Sequence, residues 1–350
     1  LPRLKPGSSP VHSNIYCAKW LVSHIQESSL NVLHGIYATV YAPYWYRLLG
    51  AKVGKGAEIS TALGVVPDML TLGDDTFIAD AVMLGDEQID GGWMTMRPTV
   101  ISHRSFVGNG SYIPDGTTLP EHVLIGVHTH APRNAQMHSG DTWLGSPPMH
   151  LPAREQVSGF AEHLTFKPSI LRRLGRSLIE AFRIVAPHAV VIAVGYTLVL
   201  DVMPIAGAGR WGEVVGDLAI AGIAYGIGNF LVVVLFKWLL LGRYRKHAAP
   251  MWTPFVWISE GVTNLYEGIA VPNFMRYLRG TPWLPLAFRL FGCKIGRGVY
   301  MDTTDITEFD CVHIGDYSEL NALTCPQTHL FEDRVMKIDH AEIGRRVYLG

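Results

Sequence analysis

Aliphatic residues recur at every sixth position through Ile101, Val107, Ile113, Leu119 and Ile125. An earlier ladder runs Val53, Ile59, Val65 and, after one inserted residue, Leu72, Ile78 and Leu84. A period of six fits neither an amphipathic helix nor an alternating strand. It predicts a β-helix, in which each side of a coil is one short strand with one inward aliphatic residue. Turn formers sit directly after the ladder positions (Gly54, Gly73, Gly108, Pro114, Pro120, Gly126), where the corners must fall. The ladder stops, then returns at Ile295, Met301, Ile314, Leu320, Ile343 and Leu349.

Between the two ladders the pattern is continuously apolar. Residues 184–205 (IVAPHAVVIAVGYTLVLDVMPI) and 214–241 (VVGDLAIAGIAYGIGNFLVVVLFKWLLL) are each long enough to cross about 30 Å of hydrocarbon. His188, Asp201, Asp217 and Lys237 lie near the ends, within reach of the interface. Asn229 and the spacing Gly222-x-x-x-Gly226 suit helix packing in lipid. Lys167, Arg172, Arg173, Arg176 and Arg183 precede the first run, Arg243, Arg245 and Lys246 follow the second, and the connecting loop holds only Arg210. By the positive-inside rule both flanks face the cytoplasm. The expected protein is therefore a multi-pass cell-membrane protein with its soluble domains on the cytoplasmic side.

The two ladders are copies. At a constant offset of 242, Thr39, Pro43, Arg47, Leu48, Gly50, Lys52, Gly54, Gly56, Thr61, Gly73 and Asp74 match Thr281, Pro285, Arg289, Leu290, Gly292, Lys294, Gly296, Gly298, Thr303, Gly315 and Asp316. The expected order is a leading helical or interfacial segment (1–49), a first β-helix domain (50–155) and a membrane hairpin (165–247), followed by a second helical or interfacial segment (251–291) and a second, truncated β-helix domain (292–350). The overall class expected is mainly β. The Trp, Tyr and Arg content of the two leading segments suits a headgroup region.

Composition narrows the function classes. Charged residues make up 17% of the 350 and the net charge is −1, so no basic field favours nucleic acid. The four cysteines, Cys17, Cys293, Cys311 and Cys325, have no zinc-like or C-x-x-C spacing and read as reduced thiols. No Walker loop, dinucleotide fingerprint or nucleophile elbow is present, and VGKGAE and IGRGVY are solenoid turns. The chain opens at Leu1 and stops inside a repeat, RRVYLG, so it reads as a piece of a longer protein.

The hexapeptide ladder resembles the left-handed parallel β-helix of the acyltransferase superfamily, whose ordinary members are trimers. WLGSPPMHLP (143–152) looks like the element that closes the solenoid in many of them. The strings LFGCKIGRG (290–298), DTTDITEFDCVHIGD (302–316), QTHLFEDRVMK (327–337) and FVGNGSYIPDGT (106–117) look like the C-terminal membrane region of poly-ε-lysine-synthetase-type non-ribosomal peptide synthetases. That resemblance covers essentially the whole chain. It implies a condensing region that joins a carrier-bound aminoacyl thioester to a free amine by an amide bond. Its partners would be adenylation and phosphopantetheine carrier domains of the same longer protein, the membrane, and an amino-acid substrate with lysine among the candidates. No tightly bound cofactor is implied. The alternatives are an ordinary acyltransferase using a coenzyme A thioester and a non-catalytic membrane scaffold for carrier docking.

Attack of an amine on a thioester needs a base, oxyanion donors and a surface that aligns the reactants. His329 is the natural base, since imidazole titrates near working pH. Glu332 or Asp333 would orient it or hold a cationic amine, and Arg334 would bind a carboxylate or the phosphopantetheine phosphate. Asp302, Asp305 and Glu308 add carboxylates suited to a basic substrate. The same cluster also reads as a polar loop whose charges pair on the surface. The first copy has GDEQIDGGW (85–93) in place of QTHLFEDR, without histidine, so the two copies carry different sites. His128 and His130 in GVHTHAPRN are secondary candidates for a base, and no metal site is expected.

Overall fold

The computed structural model describes residues 3–32, 34–152 and 159–350, so the last residues assigned to the first β-helix, 153–155, lie outside the described residues. The chain forms two compact units, Leu1–Ser158 and Gly159–Gly350.

In the first unit the six-residue ladder is a parallel coil. Lys52–Val53, Leu70–Leu72, Thr99–Ile101 and Thr118–Leu119 pair in parallel along one side. A second side stacks Glu58–Ile59, Phe77–Ile78, Phe106–Val107 and Leu124–Ile125. The third stacks Ala62–Leu63, Val82–Leu84 and Tyr112–Ile113. Ile101, Val107, Ile113, Leu119 and Ile125 are all fully buried, one per strand, which is the physical content of the period. Close stacking explains the corner glycines: a Cβ on Gly54 would lie 2.5 Å from the Asp74 backbone nitrogen. The closing element is confirmed, since Thr142–Leu144 pairs with Leu124–Ile125 and folds back on Met149–Leu151.

Two helices precede the coil, α1 (Asn14–Val32) and α2 (Ala42–Leu49). The strand Gly7–Pro10 lies antiparallel on Trp93–Met96, which forms a hairpin with Gln88–Asp90 that leaves the coil.

The second unit opens with α3 (Ile170–Gly207) and α4 (Trp211–Phe236), the latter continued by a π-helical turn Lys237–Leu241. Both are long and apolar enough to cross a membrane. Then follow α5 (Pro254–Leu265), a π-helical turn Tyr266–Ala270, α6 (Val271–Asn273) and α7 (Trp283–Phe291). The coil resumes with Lys294–Ile295, Val312–Ile314 and Ala341–Ile343 on one side, and Tyr300–Met301, Glu319–Leu320 and Tyr348–Leu349 on another. About 42% of the residues are helical, so the protein is mixed rather than mainly β: besides the two long apolar helices, each leading segment is a helical layer packed on the coil of its own unit.

The offset of 242 extends past Asp316. The hairpin Gln88–Asp90/Trp93–Met96 recurs as His329–Glu332/Val335–Ile338, and Thr99–Ile101 recurs as Ala341–Ile343. QTHLFEDR is thus not a departure from the repeat but the same excursion with different side chains. In the second copy its turn, Asp333-Arg334, has both residues at positive φ (47° and 63°), where the first copy has Gly91-Gly92.

The ladder residues are fully buried between stacked strands, so they should carry much of the coil's stability. Ile101→Ala is expected to cost about 2–5 kcal/mol, because the stacked strands cannot close the cavity. Hydrogen exchange in Leu70–Leu72 and Thr118–Leu119 should accelerate accordingly; unchanged protection there would contradict this packing.

Candidate functional site

Where the first unit has a third strand on each coil, the second unit has irregular segments, 302–308 and 321–328. Losing that strand frees backbone and side chains for other geometry. Glu308 takes it up: it sits at φ 36°, ψ 52°, a conformation costly for a side chain with a Cβ, just before the turn Phe309–Cys311.

Its carboxylate is almost completely buried. The Glu308 Oε2 accepts from Thr307 Oγ1 at 2.8 Å and Thr328 Oγ1 at 2.7 Å, and lies 2.8 Å from His329 Nδ1. Burial works against the charge, but the facing His329 ring and the hydrogen bonds from His329, Thr328 and Thr307 outweigh it and hold Glu308 below the ordinary glutamate range. The His329 side chain is 21% exposed and that of Glu308 1%, so the acid supports from inside while the ring reaches the surface. With Nδ1 bound to a carboxylate, the tautomer is set and Nε2 is the basic nitrogen. An imidazole held in this way could serve as a base oriented by a buried acid.

His329 starts the outer strand of the hairpin, and the inner strand Val335–Ile338 is pinned by His247–Pro250 on its other edge. The pinning involves Arg334, buried with its guanidinium over the Phe166 ring at 5.7 Å and Nη1 3.6 Å from Met251 Sδ, while its carbonyl accepts from Met251 N. Arg334, expected to bind substrate, therefore holds the hairpin instead. Glu332, expected to orient His329, receives Lys337 Nζ at 3.0 Å across the hairpin. Asp333 occupies the turn. The orienting acid is Glu308, which the sequence reading assigned to substrate.

Asp302 is engaged by Arg279 at 2.9 Å. Asp305 stays exposed. Burial, and after it the charges of Asp305, Glu267 and Glu308, push the Cys325 thiol up. Glu267 was not foreseen from sequence. It lies in the π-helical turn, and that turn accommodates extra residues: the strands Gly7–Pro10 and His247–Pro250 are 240 apart, whereas Thr39 and Thr281 are 242 apart. Before the turn the copies still correspond: Gln26 Nε2 donates to the Ala62 carbonyl and Tyr266 Oη to that of Thr304.

The equivalent place in the first unit holds different chemistry. Position 308 is Val66 there, and 329 is Glu87, which pairs with the buried Lys19. Burial, then a hydrogen bond to Glu87, raises the neighbouring Asp86 to about 7, while bonds to Asp86 and Lys19 overcome burial and keep Glu87 low. Two neighbouring acids face a cation there, with no imidazole. His128 and His130 are exposed on a coil corner, His130 against the Tyr112 ring at 5.1 Å. Among the described residues no group of His, Cys, Asp or Glu is arranged to hold a metal.

No family model matches the chain. Over 350 residues it is 58% identical to the delta-poly-L-ornithine synthetase of Acinetobacter baumannii (strain AB307-0294), of which it spans only 26%. Among solved structures, a galactoside acetyltransferase in complex with coenzyme A is 12% identical, with 42% of this chain and 86% of that one covered and a TM-score of 0.32. A maltose O-acetyltransferase from Clostridium difficile 630 is also 12% identical, covering 43% of this chain and 94% of that one, with a TM-score of 0.26. Superpositions this loose bear on neither fold nor function.

The depressed Glu308 fixes a pH dependence. Its stabilising contribution is complete above the ordinary glutamate value, about pH 4.3, and is lost as pH falls through the lower folded value. Glu308→Gln should lower hairpin stability by about 1–3 kcal/mol at neutral pH. That deficit should shrink on acidification, read by hydrogen exchange of His329–Glu332. A pH-independent deficit would mean the carboxylate is not charged in the folded state.

Proposed function

We propose that the chain is the membrane-anchored condensing region of a larger poly-amino-acid synthetase. It would form amide bonds between a carrier-bound aminoacyl thioester and the free amine of a basic amino acid. The observation that carries this reading is the His329–Glu308 dyad. High identity to a polyornithine synthetase along the whole chain supports it.

In this reading α3 and α4 span the membrane and both units face the cytoplasm. The exposed Asp305 and Glu267 attract an ammonium group of a diamino acid such as ornithine or lysine. His329 Nε2 takes a proton from the attacking amine. The new C–N bond forms as the C–S bond breaks, and the departing thiolate recovers the proton from the imidazolium. Glu308 stabilises that imidazolium and keeps the ring in place. A thioester needs no covalent enzyme intermediate, consistent with the Cys325 thiol being pushed up by burial and then by its acidic neighbours.

The first unit, with an acid pair in place of the dyad, serves docking of carrier or acceptor rather than proton transfer.

Reconstituted full-length enzyme with a loaded carrier and free diamino acid should give product. His329→Ala and Glu308→Gln should each reduce turnover about 10²–10⁴-fold, with carrier affinity preserved. An unchanged rate for His329→Ala would remove it as the base. Turnover of a coenzyme A thioester without carrier would point instead to an ordinary acyltransferase.

A further inference from the structure

The helices that lead into the second coil do not stay at the end of the apolar hairpin but climb alongside it. At the lower end of α4, Lys237 Nζ meets Asp310 Oδ2 at 2.6 Å, and Trp238 Nε1 donates to the Leu290 carbonyl at 2.8 Å. Further up, Phe230 packs on Phe274 with ring centroids 4.9 Å apart. Higher still, a Cβ on Gly226 would lie 2.4 Å from the Asn273 carbonyl oxygen, so α6 rests directly on that glycine. From Lys237 to Gly226 is about 16 Å of helix at 1.5 Å per residue. A hydrocarbon layer of about 30 Å, counted down α4 from Val214 where the apolar run begins, ends at about Val233. The tip of the leading helices at Asn273 then lies roughly 10 Å inside that boundary.

The surface of this tip has the matching chemistry. Tyr277 is 67% exposed, and Arg276 sits beneath its ring at 5.0 Å, an arrangement that lets the cation reach headgroups. On α7, Leu284, Phe288 and Phe291 are fully buried, yet the opposite stripe Trp283, Leu286 and Leu290 is exposed and just as apolar. A helix apolar on both faces has no reason to contact water. The equivalent stripe survives in the first unit, where Tyr44 and Leu48 of α2 are exposed. Between α4 and the tip runs a cleft of about 330 Å³ walled by Gly222, Ile223, Ile227, Phe274, Tyr277 and Leu278.

We propose that the second unit is partly immersed in the bilayer rather than hung from it. The tip around Asn273–Leu278 and the outer stripe of α7 occupy the cytoplasmic-side leaflet, and the cleft against α4 takes a lipid acyl chain. This rests on the reading of α3 and α4 as membrane spans. The immersion also sets the height of the candidate site. Tyr266 Oη donates to the Thr304 carbonyl at 2.6 Å, Gly280 N to that of Met301 at 2.7 Å, and Arg279 holds Asp302. The loop that carries Glu308 is thus fastened to the embedded layer, and condensation takes place at the headgroup surface.

The test is depth measurement by spin labels on the full-length protein in nanodiscs of phosphatidylethanolamine and phosphatidylglycerol, on a background without accessible cysteines. Labels at Tyr277→Cys and Trp283→Cys are compared with Val199→Cys, inside the apolar run of α3, and Leu323→Cys, on a coil loop where Leu323 is 92% exposed. All four positions are exposed, so the labels leave the core intact. The expected result is that Tyr277→Cys and Trp283→Cys collide preferentially with oxygen, as Val199→Cys does, by several-fold over a water-soluble nickel chelate, while Leu323→Cys prefers the chelate. If Tyr277→Cys and Trp283→Cys behave like Leu323→Cys while Val199→Cys remains lipid-like, immersion is wrong and the spans stand. An aqueous Val199→Cys overturns both.

Discussion

A parallel coil admits one inward side chain per short strand, and every strand must stack on the strand one coil below. That constraint governs the rest of the protein. The buried ladder through Ile101, Val107 and Ile113 leaves no inward position for a charged group. Polar chemistry is confined to corners and to the places where the chain leaves the coil. The candidate site lies at such a place, on the side of the second unit where 302–308 and 321–328 replace regular strands.

The duplication shows how little needs to change for a site to arise. Both copies keep the leading strand, the helical layer, the coil and the hairpin that leaves it. Against this common frame, valine becomes Glu308, Asp86 becomes Thr328 and Glu87 becomes His329. In one copy two acids lie beside Lys19; in the other a single buried acid, given hydroxyl donors and a facing imidazole, is held below the ordinary glutamate range. The same location thus separates into different roles by exchanging which position supplies the buried charge.

Most of the architecture was legible from spacing, because repeats, apolar runs and positive flanks are one-dimensional patterns. The helical layers were underestimated: α7 packs on the start of the coil, Phe291 stacking on Phe309 with ring centroids 4.4 Å apart, and such contacts leave no periodic trace. His329 and Glu308 were both visible as candidates. Their partnership was not, since they are 21 residues apart and joined by coil geometry. Nearness along the chain favoured Glu332 and Arg334 instead. A hairpin turns alternate side chains to opposite faces, so Glu332 found Lys337, and the turn buried Arg334 against Phe166 and Met251.

By itself the sequence determined the coil period, two apolar runs long enough to cross a membrane and the existence of two copies, because each depends on residue type at fixed spacing. Only the tertiary structure decided which acid meets the imidazole and that α6 rises along α4 to Gly226. The reason is physical: stacking one coil on the next brings together residues some twenty positions apart, and no local pattern records which of them will share a hydrogen bond.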